Sequence, residues 1–111
     1  MSEPVIDVPT FTELQAAAGA AFVTELVSTF LEEAPPMLAE LRSAQAAGAA
    51  DAFRRAAHSL KSNSHTFGAT RLGALARDLE LGGLIAGSGP LDDLEAEYQR
   101  VAAALRALCR G

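Results

Sequence analysis

Six residues near the C-terminal end, Leu91, Leu94, Tyr98, Val101, Leu105 and Leu108, step by 3, 4, 3, 4 and 3. That spacing puts all six on one side of an α-helix, whereas a strand would bring only alternate residues to a face. A helix with one unbroken apolar stripe must bury it against other elements. No stretch of the chain shows strand alternation and no segment repeats, so the partners are expected to be helices. Pro90 suits the first position of this last helix. Asp92, Asp93 and Glu95 in its first turns and Arg106 and Arg110 in its last complement the helix dipole.

Composition agrees. Half of the 111 residues are hydrophobic, aromatics make up 5%, and there is no Trp. The chain is rich in Ala and Leu, both strong helix formers, and its length fits one domain. The formal net charge of −5 leaves no basic stripe of the kind that binds nucleic acid. No apolar run approaches the roughly 20 residues of a membrane span. The start, "MSEPVIDVPT", lacks the basic and apolar regions of a signal peptide. The single cysteine, Cys109, has no partner for an internal disulfide and reads as a packing residue. A cytoplasmic domain is expected, without nucleic-acid or membrane partners. Met1 and the short lead-in suggest a free-standing protein.

Residues 1–9 hold two prolines and read as an extended lead-in to a domain over 10–111. Thr10 followed by Glu13 has the capping-box spacing, which predicts a short helix from Phe11 to about Ala18, ended by Gly19. A second helix begins at Ala20 with Phe22, Val23, Leu26, Val27 and Phe30 on a wide apolar face. Pro35 and Pro36 predict a kink or a restart before Leu38 and Leu41 carry the pattern towards Ala47 and Gly48. Asp51 is a good N-cap for a third helix and Gly68 a good stop. Thr70 can cap a fourth, with Leu72, Leu75, Ala76 and Leu79 along one side. The expected fold is all-α: an antiparallel up-and-down four-helix bundle with an additional short N-terminal helix.

The third helix holds both histidines and the only lysine of the chain, in "AHSLKSNSHTFGA". At about 100° per residue, Phe53, Ala57, Leu60, Ser64 and Phe67 form a face that must point inward. Arg54, His58, Lys61 and His65 form a second row that faces water. A solvated charged stripe would look the same. The combination favours chemistry: an imidazole is a nucleophile that titrates near neutral pH. Nearby cations favour its neutral form and offer charge-assisted hydrogen bonds to a bound phosphate. Ser62, one turn beyond His58, leaves room around the ring. A metal site on His58 and His65 is disfavoured, because histidines seven apart cannot share one ion as a three- or four-residue spacing allows.

"HSLKSNSHTFGATRLGALARDLE", His58 to Glu80, closely resembles the signature of the histidine-containing phosphotransfer (HPt) domains of bacterial multistep phosphorelays. The matching positions are His58, Leu60, Lys61, the small residues Ser62 to Ser64, Phe67, Gly68, Leu72, Leu79 and Glu80. The upstream segment "FLEEAPPMLAELRSAQAAGAADAFRRAAHSLK" also looks like the family. Ser62 departs from the glycine common after the lysine, and Asn63 stands where a small residue is common.

The resemblance implies that His58 accepts a phosphoryl group from a receiver-domain aspartate and passes it to another receiver. It implies that Lys61 helps neutralise the phosphoryl oxygens. Arg54 is a candidate second cation from helical spacing alone, and His65, outside the motif, reads as a spectator or docking contact. The implied protein is a stoichiometric carrier without an ATP site, not an enzyme. It binds no cofactor of its own, since the receiver supplies Mg²⁺. Response-regulator receivers or a hybrid histidine kinase are the implied partners, and a monomer is expected. The alternative is an adaptor that keeps the fold and binds a receiver or kinase without being phosphorylated. A helical dimerisation module is a further class. Whether the apolar residues of the first two helices, Phe11, Leu14 and Phe22 among them, belong to the core or to a docking patch stays open.

Overall fold

The computed structural model describes residues 5–84 and 87–110. Its helices are α1 (Val8–Ala18), α2 (Ala20–Ala47), α3 (Ala50–Thr66), α4 (Thr70–Gly82) and α5 (Gly89–Arg110), with no strand among the described residues. Each of α2 to α5 packs against its neighbour in sequence, and α5 returns to α2. That closed circuit is an up-and-down four-helix bundle, as the periodicity predicts. The short α1 lies against α2, bent from it by 119°. No single described helix is long and apolar enough to cross a membrane.

The lead-in is shorter than the sequence suggested. Helix α1 starts at Val8, not Phe11, and its cap is Asp7 rather than Thr10. The Asp7 carboxylate accepts hydrogen bonds from both the backbone N–H and the hydroxyl of Thr10. Pro9 falls in the first turn, where its missing N–H costs nothing. Ile6 is buried in the core, and the Asp7 N–H donates to Gly68 O at 2.8 Å. The segment entering α1 therefore clasps the turn between α3 and α4. Residues 1–4 of the predicted lead-in lie outside the described residues.

Helix α2 runs unbroken for 28 residues through Pro35 and Pro36, so the predicted restart does not occur. Both prolines face solvent while Ala34 and Leu38 beside them are buried. A proline inside a helix leaves the carbonyl four residues back without its partner. For Pro35 that carbonyl is Leu31 O, and the hydroxyl of Tyr98, from α5, donates to it at 3.4 Å. Tertiary packing thus fills the gap that the local pattern leaves. Gly48 then ends the helix in the left-handed conformation, φ 68° and ψ 24°, with its N–H on Ala44 O and Gln45 O.

Two other caps move by one or two residues. Ala49 is the N-cap of α3, and Asp51 lies inside its first turn. Ala69 is the N-cap of α4, and Thr70 is its first helical residue. Pro90 is the second residue of α5, after Gly89.

The inward residues are those the spacing chose. Phe53, Ala57, Leu60 and Ser64 of α3 and its C-cap Phe67 are all buried, as are Leu91, Leu94, Tyr98, Val101 and Leu105 of α5, with Leu108 partly buried. The lone hydroxyl in the first set, Ser64, donates to Leu60 O at 2.6 Å and so enters the core satisfied. Phe30 lies between Phe67 and Tyr98, with ring centroids 5.4 and 6.0 Å away. Val23, Val27, Phe30 and Phe11 belong to the core, whereas Phe22 is about half exposed.

Charged groups tie the outer seams. Arg42 of α2 bonds Asp92 and Glu95 of α5 at 2.7 Å each, and these hydrogen bonds hold both carboxyls below the usual range. Glu97 of α5 is only 2% exposed and takes Arg100 at 2.9 Å and Arg71 of α4 at 3.4 Å on the same oxygen.

Candidate functional site

The apolar set of α3 is inside, and Arg54, His58 and His65 are exposed, but Lys61, expected to face water with them, is largely covered. Helix α4 settles against the flank that bears Lys61 and His65. Two contacts mark its register. The ring of His65 lies on Gly73, so close that a Cβ there would come within 2.7–3.0 Å of three ring atoms. Seven residues further along α4, Glu80 meets the residue seven positions back along α3, His58. The absence of a side chain at Gly73 leaves room for the imidazole where it rests against α4. The two contacts lie about 10 Å apart along the antiparallel pair.

At the second contact, one carboxylate serves two partners. Glu80 Oε2 lies 2.6 Å from His58 Nδ1, and Glu80 Oε1 lies 2.6 Å from Lys61 Nζ. The Glu80 and Lys61 side chains are largely covered, 21% and 24% exposed, while that of His58 is 59% exposed. The Lys61 hydrogen bond, opposed by burial and helped by His58, holds the Glu80 carboxyl below the usual carboxylate range. An ionised carboxylate can only accept. The neutral ring therefore carries its hydrogen on Nδ1 and its lone pair on Nε2. Nε2, across the ring from the glutamate, has no hydrogen bond to any described residue. The result is an oriented, water-facing nitrogen nucleophile beside a lysine.

The predicted site residues fare differently. His58 and Lys61 are brought together. Ser62 is exposed one turn beyond His58, and its carbonyl accepts the Thr66 hydroxyl at 3.1 Å. Arg54 is not brought to His58: its guanidinium bonds Asp51, on its own helix, at 2.7 Å. The spacing argument did not weigh that carboxylate, three residues before it. The sequence reading also overlooked Glu80 as a site residue. It counted only cations near His58, although the Leu79–Glu80 pair was already among the matched motif positions. Among the described residues, no three His, Cys, Asp or Glu side chains gather as a metal site.

The model of the Hpt domain matches residues 25–107, from the second turn of α2 to near the end of α5. The chain belongs to the Hpt family. No curated protein and no solved structure matches it. Hpt domains are helical bundles that serve histidine phosphotransfer in phosphorelays, where they meet receiver domains or kinases and act as carriers rather than as ATP-dependent enzymes. In this Hpt domain the match takes in the whole His58–Lys61–Glu80 constellation and leaves α1 outside.

Proposed function

We propose that this Hpt domain is an active phosphorelay carrier whose phosphoacceptor is Nε2 of His58. The observation that carries the reading is the 2.6 Å contact between Glu80 and His58 Nδ1. It sets the tautomer and turns the free nitrogen to solvent. The donor is an aspartyl phosphate on a receiver domain. The Nε2 lone pair forms the N–P bond as the acyl O–P bond breaks, and the receiver's carboxylate leaves with the bonding pair. The ring then bears positive charge, and the Nδ1–H bond to Glu80 stabilises it. Return transfer to a second receiver runs the same steps backwards.

Phosphoryl transfer asks little covalent work of the protein, so catalysis is positioning and charge. Lys61 contributes by holding Glu80 in place and by facing the incoming oxygens. Ser62 keeps the approach to the ring open. Mg²⁺ and the acidic pocket belong to the receiver, so no cofactor is bound by this chain. The carrier acts as a monomer in the cytoplasm, where receivers and the kinase domains that feed them work.

The test is incubation with a labelled phospho-receiver and Mg²⁺, followed by mapping under alkaline conditions, in which phosphohistidine persists. Label is expected on His58, absent in His58→Gln, with the thermal midpoint of the variant nearly unchanged because the side chain is exposed. A folded wild-type domain that binds a receiver yet takes no label would instead be an adaptor.

A further inference from the structure

The geometry points to Arg55 as the residue that contacts the phosphoryl oxygens once His58 carries them. This rests on the carrier reading. A phosphoryl group on Nε2 brings about two negative charges to a place where the cations in view are already engaged. Lys61 is bonded to Glu80, and Arg54 to Asp51. Lys61 and Glu80 sum to zero and the imidazolium supplies one positive charge, so a further cation beside the phosphate would stabilise it.

Position selects it. Taking His58 as zero on the helix wheel, at about 100° per residue, Lys61 and Arg54 fall on the side of α4. Arg55 and Ser62 fall on the other. Glu80 draws Nδ1 towards α4, so Nε2, on the far side of the ring, leans to the Arg55 flank. Side chains on a helix also tilt back over the preceding turn. The His58 ring therefore lies over the turn that holds Arg54 and Arg55. Arg55, Ser59, Ser62 and Thr66 make an exposed strip along this flank, and three of the four are small hydroxyl residues. Arg55 is its only cation, and it has no ion pair or side-chain hydrogen bond among the described residues. A guanidinium is also the group best shaped for two oxygens of one phosphate.

The experiment uses phosphoramidate as donor, which removes receiver docking from the readout. His58 Nε2 forms the N–P bond, and the donor's own P–N bond breaks to release ammonia. Arg55→Ala is expected to slow labelling of His58 about fivefold, the worth of one partly exposed charge-assisted contact. Arg55→Lys should recover part of the rate, since it keeps the charge and loses the two-pronged geometry. A second readout follows the ³¹P resonance of the phosphohistidine against pH. Loss of a nearby cation disfavours the dianion, so the midpoint should move to higher pH in Arg55→Ala. A rate and a ³¹P titration both equal to wild type would overturn the assignment to Arg55 and leave the carrier reading standing. So would a drop found in Arg54→Ala but not in Arg55→Ala. Absence of label in the wild type from both phosphoramidate and a phospho-receiver would overturn the carrier reading, and this assignment with it.

Discussion

Two glutamates in this bundle each hold two basic side chains and have opposite fates. Glu97, on α5, is 2% exposed, accepts a hydrogen bond from Arg100 and pairs with Arg71 at 3.4 Å. Glu80, on α4, is 21% exposed and holds Lys61 and His58. Each carboxylate joins its own helix to another, α5 to α4 in the first case and α4 to α3 in the second. The difference lies in what is left over. Around Glu97 nothing reactive remains, because guanidinium groups stay protonated and have no lone pair to offer. Around Glu80 one partner is an imidazole, which gives a hydrogen to the carboxylate and keeps a lone pair for solvent. The same ionic joint is structural when closed by two arginines, and becomes a site when one partner has a second, free nitrogen.

The comparison is open to attack. Removing both arginines with the double variant Arg71→Ala/Arg100→Ala leaves a buried carboxylate without compensation, which should cost about 3 kcal/mol of stability. Chemical denaturation would measure it, with labelling of His58 retained under folding conditions. If stability instead stayed unchanged and labelling fell, the two joints would not be separate. Glu80→Ala should do the reverse. The fold persists, and acceptance slows roughly ten- to hundredfold, the range for losing a group that orients a functional imidazole. A single-turnover assay with phosphoramidate reads this directly.

The smallest effect is one of pH. The Glu80 carboxyl is held below its ordinary value by Lys61 and then His58, so the folded state binds this proton less readily than the unfolded chain. The stabilisation is therefore complete above the ordinary glutamate pKa of about 4.3, and is lost as pH falls through the lowered folded value. Carbon NMR of the carboxyl should show Glu80 still ionised where exposed glutamates have begun to protonate. Lys61→Ala should move its midpoint upward, since that lysine is the largest source of the lowering.

The fold was legible in the sequence because a helix bundle is written in periodicity. The stripe from Leu91 to Leu105 and the inward face of α3 both follow from spacing alone. What escaped the reading was set by partners far along the chain or by a cap one to three residues before the expected one. Pro35 is a breaker by local rules, and the carbonyl it orphans is met by Tyr98, 67 residues from Leu31. Asp7 was legible as a cap, with Pro9 and Thr10 behind it, but the prolines drew the reading towards extended chain. His58 and Lys61 could be seen because one helix carries both. Glu80 needed the register of α3 on α4, which no periodicity within one helix announces. Arg54 is the reverse case, since the carboxylate that occupies it stands three residues away in plain view.

The turn between α3 and α4 acts as a ruler. Gly68 has φ of 80°, a Cβ on it would sit 2.9 Å from Asp7 O, and its own carbonyl takes the Asp7 N–H. A turn clasped in this way has no slack to absorb a change of length. Adding or deleting one residue there would rotate α4 by about 100° and slide it by about 1.5 Å. Glu80 would swing away from His58 while every residue of the site remained in the sequence. For grafting or splicing this domain, the spacing from His58 to Glu80 is as much a part of the site as the side chains themselves.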